Sequence, residues 1–300
     1  LDKYRKIKEL DTSCMLGDIA RFRVNVCCDD GDTRAVMRII PMDIKKIDDL
    51  GLPKVLHRIC RLSSGLCIVT GVTGSGKSTT LAALIDEINN TRPVHVVTIE
   101  DPLEFVHRDR KAIVTQREVG HDTLSFANAL RAALRQDPDV ILIGEMRDAE
   151  TVRTALASAE TGHLVFSTLH TVDAVETLNR VMDFFEPHQQ NQIRKQLASV
   201  LRAVISQRLL RMKSGTGRCV AAEVLVGTRA VRDFIEQGKS LKEIGKLIEE
   251  GHEQHGMQTF DQDLLRLYRE GKISDKTAIE NATSPNDVMR AIKGFSDKKM

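Results

Sequence analysis

The sequence is poor in aromatic residues and has no cysteine pairs at metal-ligand spacing. It contains no tryptophan and two tyrosines, so it lacks the aromatic platforms interleaved with basic residues on which single-stranded nucleic acids stack. Its six cysteines include no Cys-x-x-Cys motif, which excludes a tetracysteine zinc module and a disulfide scaffold. No apolar run approaches the roughly 20 residues that span a bilayer. We therefore expect a soluble protein in a reducing, intracellular setting, without direct membrane insertion or a nucleic-acid partner.

Charge and length set wide limits on the fold. The sequence has 44 Lys and Arg residues against 42 Asp and Glu residues, and a net charge of +2 argues against an overall cationic coat. With 41% hydrophobic residues, a chain of 300 residues can fill one large core or two smaller ones. Because the first residue is Leu1, we also expect an N-terminal part to precede it.

Three regions follow from the pattern of apolar, charged and turn residues. Residues 21–26 and 34–40 alternate in polarity around an Asp-Asp-Gly-Asp turn, which predicts a β-hairpin. We interpret residues 1–41 as the remnant of a small N-terminal domain and 42–53 as a linker. Residues 54–300 form the core, and its part from about 229 to 300 is helical.

Continuous apolar runs in the core predict a buried parallel sheet. The runs lie at 66–70, 94–99, 140–143 and 164–169, and helix-like stretches lie next to each of them. Strands that are apolar along their whole length are typical of parallel sheets covered by helices on both faces. The fold class is therefore α/β. From about residue 184 the pattern is mainly helical, and a second hairpin is predicted at 208–212 and 219–226.

A phosphate-binding loop follows the first of these strands. In this pattern, backbone N–H groups surround the β-phosphate, the lysine reaches the β- and γ-phosphates, and the hydroxyl after it binds Mg²⁺. The predicted ATP-binding residues are Gly71, Thr73, Gly74, Ser75, Gly76, Lys77, Ser78 and Thr79. The cofactors implied are ATP and Mg²⁺, with Ser78 as one metal ligand.

Glu145 is the predicted water-activating base. It ends the apolar strand at 140–143, where nucleotide-hydrolysing enzymes of this type hold a carboxylate beside the metal. Gly144 replaces the aspartate that is usual in this motif, so Glu145 also becomes the second candidate metal ligand. The alternative is that Glu145 caps the following helix, although Asp148 is better placed for that role.

A cluster of acids follows the strand at 94–99. Glu100, Asp101 and Glu104 would repel one another without a cation nearby, which favours a metal or a basic partner, and an acidic surface turn is the alternative.

Two histidines bracket the strand at 164–169. An extended chain of this length spans roughly 23 Å, so His163 and His170 cannot both contact one phosphate. Ligands of parallel sheets lie at the carboxyl ends of the strands, which favours His170 as the sensor of the γ-phosphate. His163 is then expected at a domain or subunit boundary.

The N-terminal hairpin carries three arginines. Arg21 and Arg23 alternate along one strand and share a face, and Arg38 lies on the other strand. They are either a solvated basic surface or arginine fingers that reach the nucleotide.

Taken together, these motifs are highly specific, and the sequence resembles the type IV pilus retraction ATPases of the PilT and PilU type, within the secretion-type ATPase superfamily. The resemblance runs from residue 21 to residue 260. Its signatures are the phosphate loop at 71–79, an acidic box at 98–105, Gln-Arg-Glu-Val-Gly at 116–120, Arg-Gln-Asp-Pro-Asp at 135–139, Ile-Gly-Glu-Met-Arg at 143–147, and a histidine box at 159–163 and 168–171.

The resemblance implies a RecA-like ATPase core joined to a PAS-like α+β N-terminal domain, which would be truncated here. It implies a homo-hexameric, Mg²⁺-dependent motor that drives pilus retraction and twitching motility. The motor would act in the cytoplasm, at the inner face of the inner membrane, on a platform protein at the pilus base. Carried over residue by residue, the family's acidic box implies that Glu100 and Glu104 take part in catalysis. The histidine box adds His163 to the nucleotide-binding residues, and the small domain's arginines are Arg21, Arg23 and Arg38.

Three alternatives stay open at this point. The nearest is a pilus assembly or type II secretion ATPase of the same superfamily, although such relatives often carry a tetracysteine zinc module. The second is an accessory paralogue of a retraction motor, because residues 230–239 fit the retraction signature Ala-Ile-Arg-Asn-Leu-Ile-Arg-Glu only loosely. The third is a structural subunit that binds nucleotide and hydrolyses little.

Overall fold

A three-stranded antiparallel sheet forms the N-terminal part of the chain. The computed structural model describes residues 7–17, 20–40, 43–238 and 243–296. Strands β1 (Glu9–Leu16), β2 (Ala20–Asp29) and β3 (Asp32–Ile40) pair in the order β1-β2-β3. The predicted hairpin is confirmed as β2 and β3, but β1 was missed because its polar sequence does not alternate.

The core is a seven-stranded sheet in the order β10-β9-β4-β8-β7-β5-β6. All neighbouring strands are parallel except the β10–β9 pair at one edge. The core strands are β4 (Gly65–Thr70), β5 (His95–Glu100), β6 (Ile113–Glu118), β7 (Val140–Ile143), β8 (Leu164–Leu169), β9 (Leu201–Arg211) and β10 (Arg218–Val226). The four predicted core strands are confirmed, and so is the α/β fold class.

Helices cover both faces of this sheet, and each face has its own buried apolar cluster. The helices are α1 (Val55–Ile59), α2 (Lys77–Thr91), α3 (Phe126–Ala133), α4 (Ala149–Glu160), α5 (Ala174–Asp183), α6 (Pro187–Val200), α7 (Arg229–Glu236), α8 (Ile244–Glu250), α9 (His252–His255), α10 (Phe260–Arg269), α11 (Asp275–Glu280) and α12 (Pro285–Ser296). Several start where a side chain accepts a backbone N–H of the first turn, as Ser125, Asp148, Asp173 and Thr259 do.

The strand after α6 is longer than the sequence pattern indicated. β9 begins at Leu201, directly after the helix, whereas the pattern placed a strand only from residue 208. Its first half is buried beside β4, with Ile68 opposite Val204. The apolar residues of this segment are compatible with a helix or a strand, so the neighbouring strand decides between them.

The segment between the two sheets packs against the core. Ile47 and Leu52 lie in the predicted linker, yet both are buried in the same cluster as Leu56. The predicted boundary at residues 41 and 42 lies outside the described residues, and the division into three regions stays a prediction. Among the helices of the described part, none is long and apolar enough to cross a bilayer.

Candidate active site

The loop between β4 and α2 has the geometry of an anion cradle. Gly76 lies at the N-cap of α2 with φ of 94°, and no side chain caps the helix, so its first N–H groups remain available to an anion. Gly71 has φ of +144°, and a Cβ there would lie 2.5 Å from the carbonyl oxygen of Gln207. Glycine at 71 is therefore required by close packing against β9 as well as by its backbone angle.

Lys77 and Ser75 point to a phosphate as the ligand of this loop. The Lys77 ammonium donates to the carbonyl oxygens of Gly71 at 2.7 Å and Val72 at 3.2 Å. Burial lowers its pKa, and the negative charges of Glu104 and Glu145 act in the opposite direction. The Ser75 hydroxyl is buried without a hydrogen-bond partner in the described structure. A phosphate oxygen would satisfy that hydroxyl, so the loop fits a nucleotide.

Glu145 follows β7 and projects into the same cleft. The turn that carries it is bonded to β8, since the Thr168 hydroxyl donates to the Gly144 carbonyl at 2.6 Å. The carboxylate forms an ion pair with Arg147, and its other oxygen lies 3.7 Å from His170 Nε2. Asp148 caps α4 by accepting the N–H of Thr151, so the capping alternative for Glu145 is not what the structure has.

Gly144, which stands where this motif usually has aspartate, is closely packed against β5. A Cβ at this position would lie 3.2 Å from the carbonyl oxygen of Ile99 and 3.3 Å from the Cα of Glu100. The end of β5 would have to shift by a few tenths of an ångström to accept a side chain here. Glu100 and Glu145 are consequently the carboxylates at the ends of these two neighbouring strands.

The acidic box contributes two carboxylates in different environments. Glu100 is largely enclosed, and burial raises its pKa to about 7 although it accepts a hydrogen bond from Thr98 at 2.8 Å. Glu104 is exposed in the cleft, close enough to Lys77 to influence the pKa of that lysine. One carboxyl can therefore gain or lose a proton near neutral pH, while the negative charge of the other acts on Lys77.

Of the three predicted arginines of the N-terminal sheet, two line the cleft and one contacts the edge strand β6. Arg23 and Arg38 are directly opposite each other in the β2–β3 ladder, and both line the cleft. Like charges in this arrangement repel, which favours an anion between them. The position of Arg21 matches neither of its two interpretations, because its guanidinium is not solvated and does not line the cleft but donates to Glu118 of β6 at 2.9 Å. Tertiary contact with an acid, which no sequence pattern shows, decides its position.

The two histidines that flank β8 lie far apart, as the length of the strand predicts. His170 follows the carboxyl end of β8 and lines the cleft. His163 precedes the opposite end, where its Nδ1 lies 2.9 Å from the carbonyl oxygen of Ser158. The structure therefore does not bring His163 to the nucleotide cleft of its own chain.

Other cleft residues were not identified from the sequence. They include His107, Arg147, Thr168, Leu209 and Arg218. His107 is buried, and burial lowers its pKa to about 4, so it is neutral at physiological pH. Its place just after the acidic box was a usable signal, whereas Leu209 and Arg218 reach the cleft only because the β9–β10 hairpin folds beside α2.

The complete cleft has a volume of about 730 Å³. Of the predicted residues, those that line it are Thr73, Gly74, Gly76, Lys77, Ser78, Thr79, Glu100, Glu104, Glu145, His170, Arg23 and Arg38, and Gly71 and Ser75 form the loop beneath them. Within the described ranges, no group of three His, Cys, Asp or Glu side chains could hold a metal ion. Ser78 and Glu145 are the candidates to contact a metal that the nucleotide also ligates.

Comparison with known proteins assigns the family. The model of the family described as "Type II/IV secretion system protein" matches residues 13–283. The chain belongs to this family. A Pseudomonas aeruginosa relative called "Type IV pilus retractation ATPase PilT" is 47% identical over 290 residues, which cover 95% of this chain and 83% of the relative. The "Type IV pilus ATPase PilU" of the same species is 42% identical over 275 residues, 92% of this chain and 72% of the relative.

A solved structure of this family has the same fold. It is described as the pilus retraction motor PilT with bound ADP, and it is 46% identical to this chain with a TM-score of 0.90. The match covers 96% of this chain and 82% of that structure. The resemblance read from the motifs is confirmed, and the chain is a P-loop ATPase of the type II/IV secretion family.

Proposed function

We propose that this protein is a motor that couples ATP hydrolysis to the retraction of type IV pili. The observation that carries the proposal is the 47% identity to a pilus retraction ATPase over 95% of the chain. The cleft supports it, because Lys77, Glu145, His170, Arg23 and Arg38 all line one cavity.

The chain's own groups account for nucleotide binding. The N–H groups at the start of α2 and the Lys77 ammonium bind the phosphates. Lys77 then donates to phosphate oxygens in place of the carbonyl oxygens of Gly71 and Val72. Ser75 donates its unpaired hydroxyl. Ser78 and Glu145 are the residues that would hold Mg²⁺, which when bound neutralises charge on the β- and γ-phosphates.

Glu145 orients the attacking water in line with the γ-phosphate and accepts its proton. Arg23 and Arg38 stabilise the charge that develops on the transferring phosphoryl group. His170, next to Glu145, responds to the γ-phosphate. Glu100 and Glu104 complete the acidic side of the cleft and take part in turnover.

The resemblance to retraction ATPases supports the rest of the assignment. The motor would be a homo-hexameric ring in the cytoplasm, at the inner face of the inner membrane, where closure of the N-terminal sheet on the core moves a platform protein. A retraction role is favoured over assembly or secretion because the cysteine spacing does not build a tetracysteine zinc module. An accessory role beside a second retraction ATPase is the remaining candidate, since the PilU relative is 42% identical.

The replacement Glu145→Gln tests the ATPase mechanism. The amide keeps the size of the side chain but cannot accept the proton, so we expect ATP affinity to stay within about threefold while turnover falls by about a hundredfold or more. Glu236→Gln, on an exposed position of α7 outside the cleft, is the control. Near-normal hydrolysis by Glu145→Gln would disprove the assignment of the base.

The same variant in cells tests the direction of the motor. More surface pili together with lost twitching motility would support retraction. Cells without pili would instead indicate assembly, and unchanged cells would indicate an accessory subunit.

A further inference from the structure

Arg21 makes a contact that crosses from the N-terminal sheet to the ATPase core. Its Nη2 donates to Glu118 Oε2 at 2.9 Å and to the Ser13 hydroxyl at 2.9 Å. The two charged side chains are only 15% and 11% exposed, although 97 residues separate them in the chain. Glu118 ends β6, the outermost strand of the core sheet. This ion pair therefore ties two separate sheets at a partly desolvated point.

We propose that the Arg21–Glu118 ion pair positions the N-terminal sheet so that Arg23 and Arg38 reach the nucleotide cleft. Arg21 is then a positioning residue, distinct from the two arginines that line the cleft. The proposal rests on the function proposed above, because it concerns the arrangement of groups that act on the same nucleotide.

The geometry of β2 transmits the position of Arg21 to the cleft. Arg21 and Arg23 are two residues apart on one strand, so they share a face at a separation of about 7 Å. Arg38 lies opposite Arg23 in the β2–β3 ladder. Because the hydrogen-bonded ladder keeps these spacings, fixing Arg21 on Glu118 fixes both cleft arginines.

Glu118, the end of the ion pair that belongs to the core, lies next to the acidic box. Glu118 is paired in register with Glu100 on the neighbouring strand β5. The N–H of Val119 also donates to the Glu100 carbonyl at 2.9 Å. The anchor of the N-terminal sheet and the acidic box thus lie on adjacent, bonded strand ends.

In the described part of the chain, neither cleft arginine holds the N-terminal sheet on the core by an ion pair of its own. Within the described residues, no carboxylate forms an ion pair with Arg23 or Arg38, whereas Arg21 has Glu118. Two facing guanidinium groups favour an arrangement in which they separate or turn to solvent. Glu118 supplies, through Arg21, the attraction that holds this sheet at the core before a nucleotide arrives.

The experiment compares kcat and KM for ATP in Arg21→Gln, Glu118→Gln and the charge-reversed double variant Arg21→Glu with Glu118→Arg, each in the full chain. Each single variant should lower kcat by about tenfold or more and leave KM within about threefold, because the phosphate loop is unchanged. The reversed pair should restore kcat to within about threefold of wild type. Arg34→Gln is the matched control, since Arg34 pairs with Asp29 on the same sheet and both side chains are exposed.

A distance measurement that does not depend on turnover accompanies the kinetics. Spin labels attached through unnatural amino acids at the exposed positions Asp32 and Arg135 report the distance between the sheet and the core. We expect a narrow distribution in wild type and in the reversed pair, and a broader one in both single variants. If wild type hydrolyses no ATP, the function proposed above fails while this distance test still decides the positioning role. Unchanged distances and unchanged kcat in the single variants, or a reversed pair that recovers neither, would overturn the proposal.

Discussion

Replacing Glu100 by glutamine should make the protein more stable and less active. Burial raises the pKa of Glu100 to about 7, against an ordinary value of 4.5, so the folded protein disfavours the ionised carboxylate. Each tenfold change in proton affinity corresponds to about 1.4 kcal/mol, and ionised Glu100 therefore costs the fold about 3 kcal/mol. The glutamine amide is neutral at every pH, and its oxygen can still accept the Thr98 hydrogen bond.

The sign of the effect depends on pH in a defined way. Below pH 4.5 the carboxyl is protonated in both the folded and the unfolded chain, and the replacement gives no advantage. Between 4.5 and 7 the unfolded chain releases the proton while the folded chain retains it, so wild-type stability falls as pH rises. The advantage of Glu100→Gln should grow across this window and become constant above pH 7. For a chain of this length, about 3 kcal/mol corresponds to a rise in Tm of about 5 °C.

Thermal unfolding at pH 5 and pH 8, together with a steady-state ATPase assay, checks the prediction. Glu223→Gln is the matched control, because burial also raises the pKa of Glu223 to about 7, but this residue lies on β10, where it accepts the N–H of Ala174. Both variants should be stabilised more at pH 8 than at pH 5, and only Glu100→Gln should lose ATPase activity. An equal Tm gain for Glu100→Gln at both pH values, or no gain at pH 8, would refute the reasoning.

Two further predictions concern the phosphate loop and helix α1. Gly71→Ala should weaken ADP binding by about tenfold or more in a fluorescence titration, because its Cβ would lie 2.5 Å from both Gln207 O and Ser75 Oγ. Gly245→Ala is the control and should bind ADP normally, because the space around Gly245 is open. Normal ADP binding by both variants would contradict the packing argument. His57→Gln should lower Tm more at pH 5.5 than at pH 8. Hydrogen bonds to Asp48, and to a smaller extent to Glu87, raise the pKa of His57. The stabilising contribution of His57 is therefore present below pH 6.5 and is lost as pH rises through the folded-state pKa. A pH-independent change in Tm would count against that ion-pair network.

Much of the candidate site could be predicted because its residues are carried by local patterns. The phosphate loop, Glu145 and His170 each follow a continuous apolar strand, and parallel strands bring their carboxyl ends to one edge of the sheet. The period of two along β2 likewise placed Arg21 and Arg23 on one face. These inferences need only strand direction and side-chain alternation, which the sequence encodes locally.

Other features could not be predicted because they depend on which elements become neighbours. β1 and β6 are edge strands with mixed polarity, and the first half of β9 has no pattern that separates a strand from a helix. The close contact of Gly144 with β5 is likewise visible only in the folded chain, where a Cβ would lie 3.2 Å from the Ile99 carbonyl oxygen.

The sequence by itself determined that this protein has an α/β core, a phosphate loop and a carboxylate just after the end of a buried strand, because spacing along one segment is sufficient for each. Only the tertiary structure decided that Arg21 binds Glu118 while Arg23 and Arg38 line the cleft. All three arginines carry the same charge in the same hairpin. Their different roles come from the acid that one of them meets across 97 residues of chain, and such long-range contacts exist only after the two sheets have packed together.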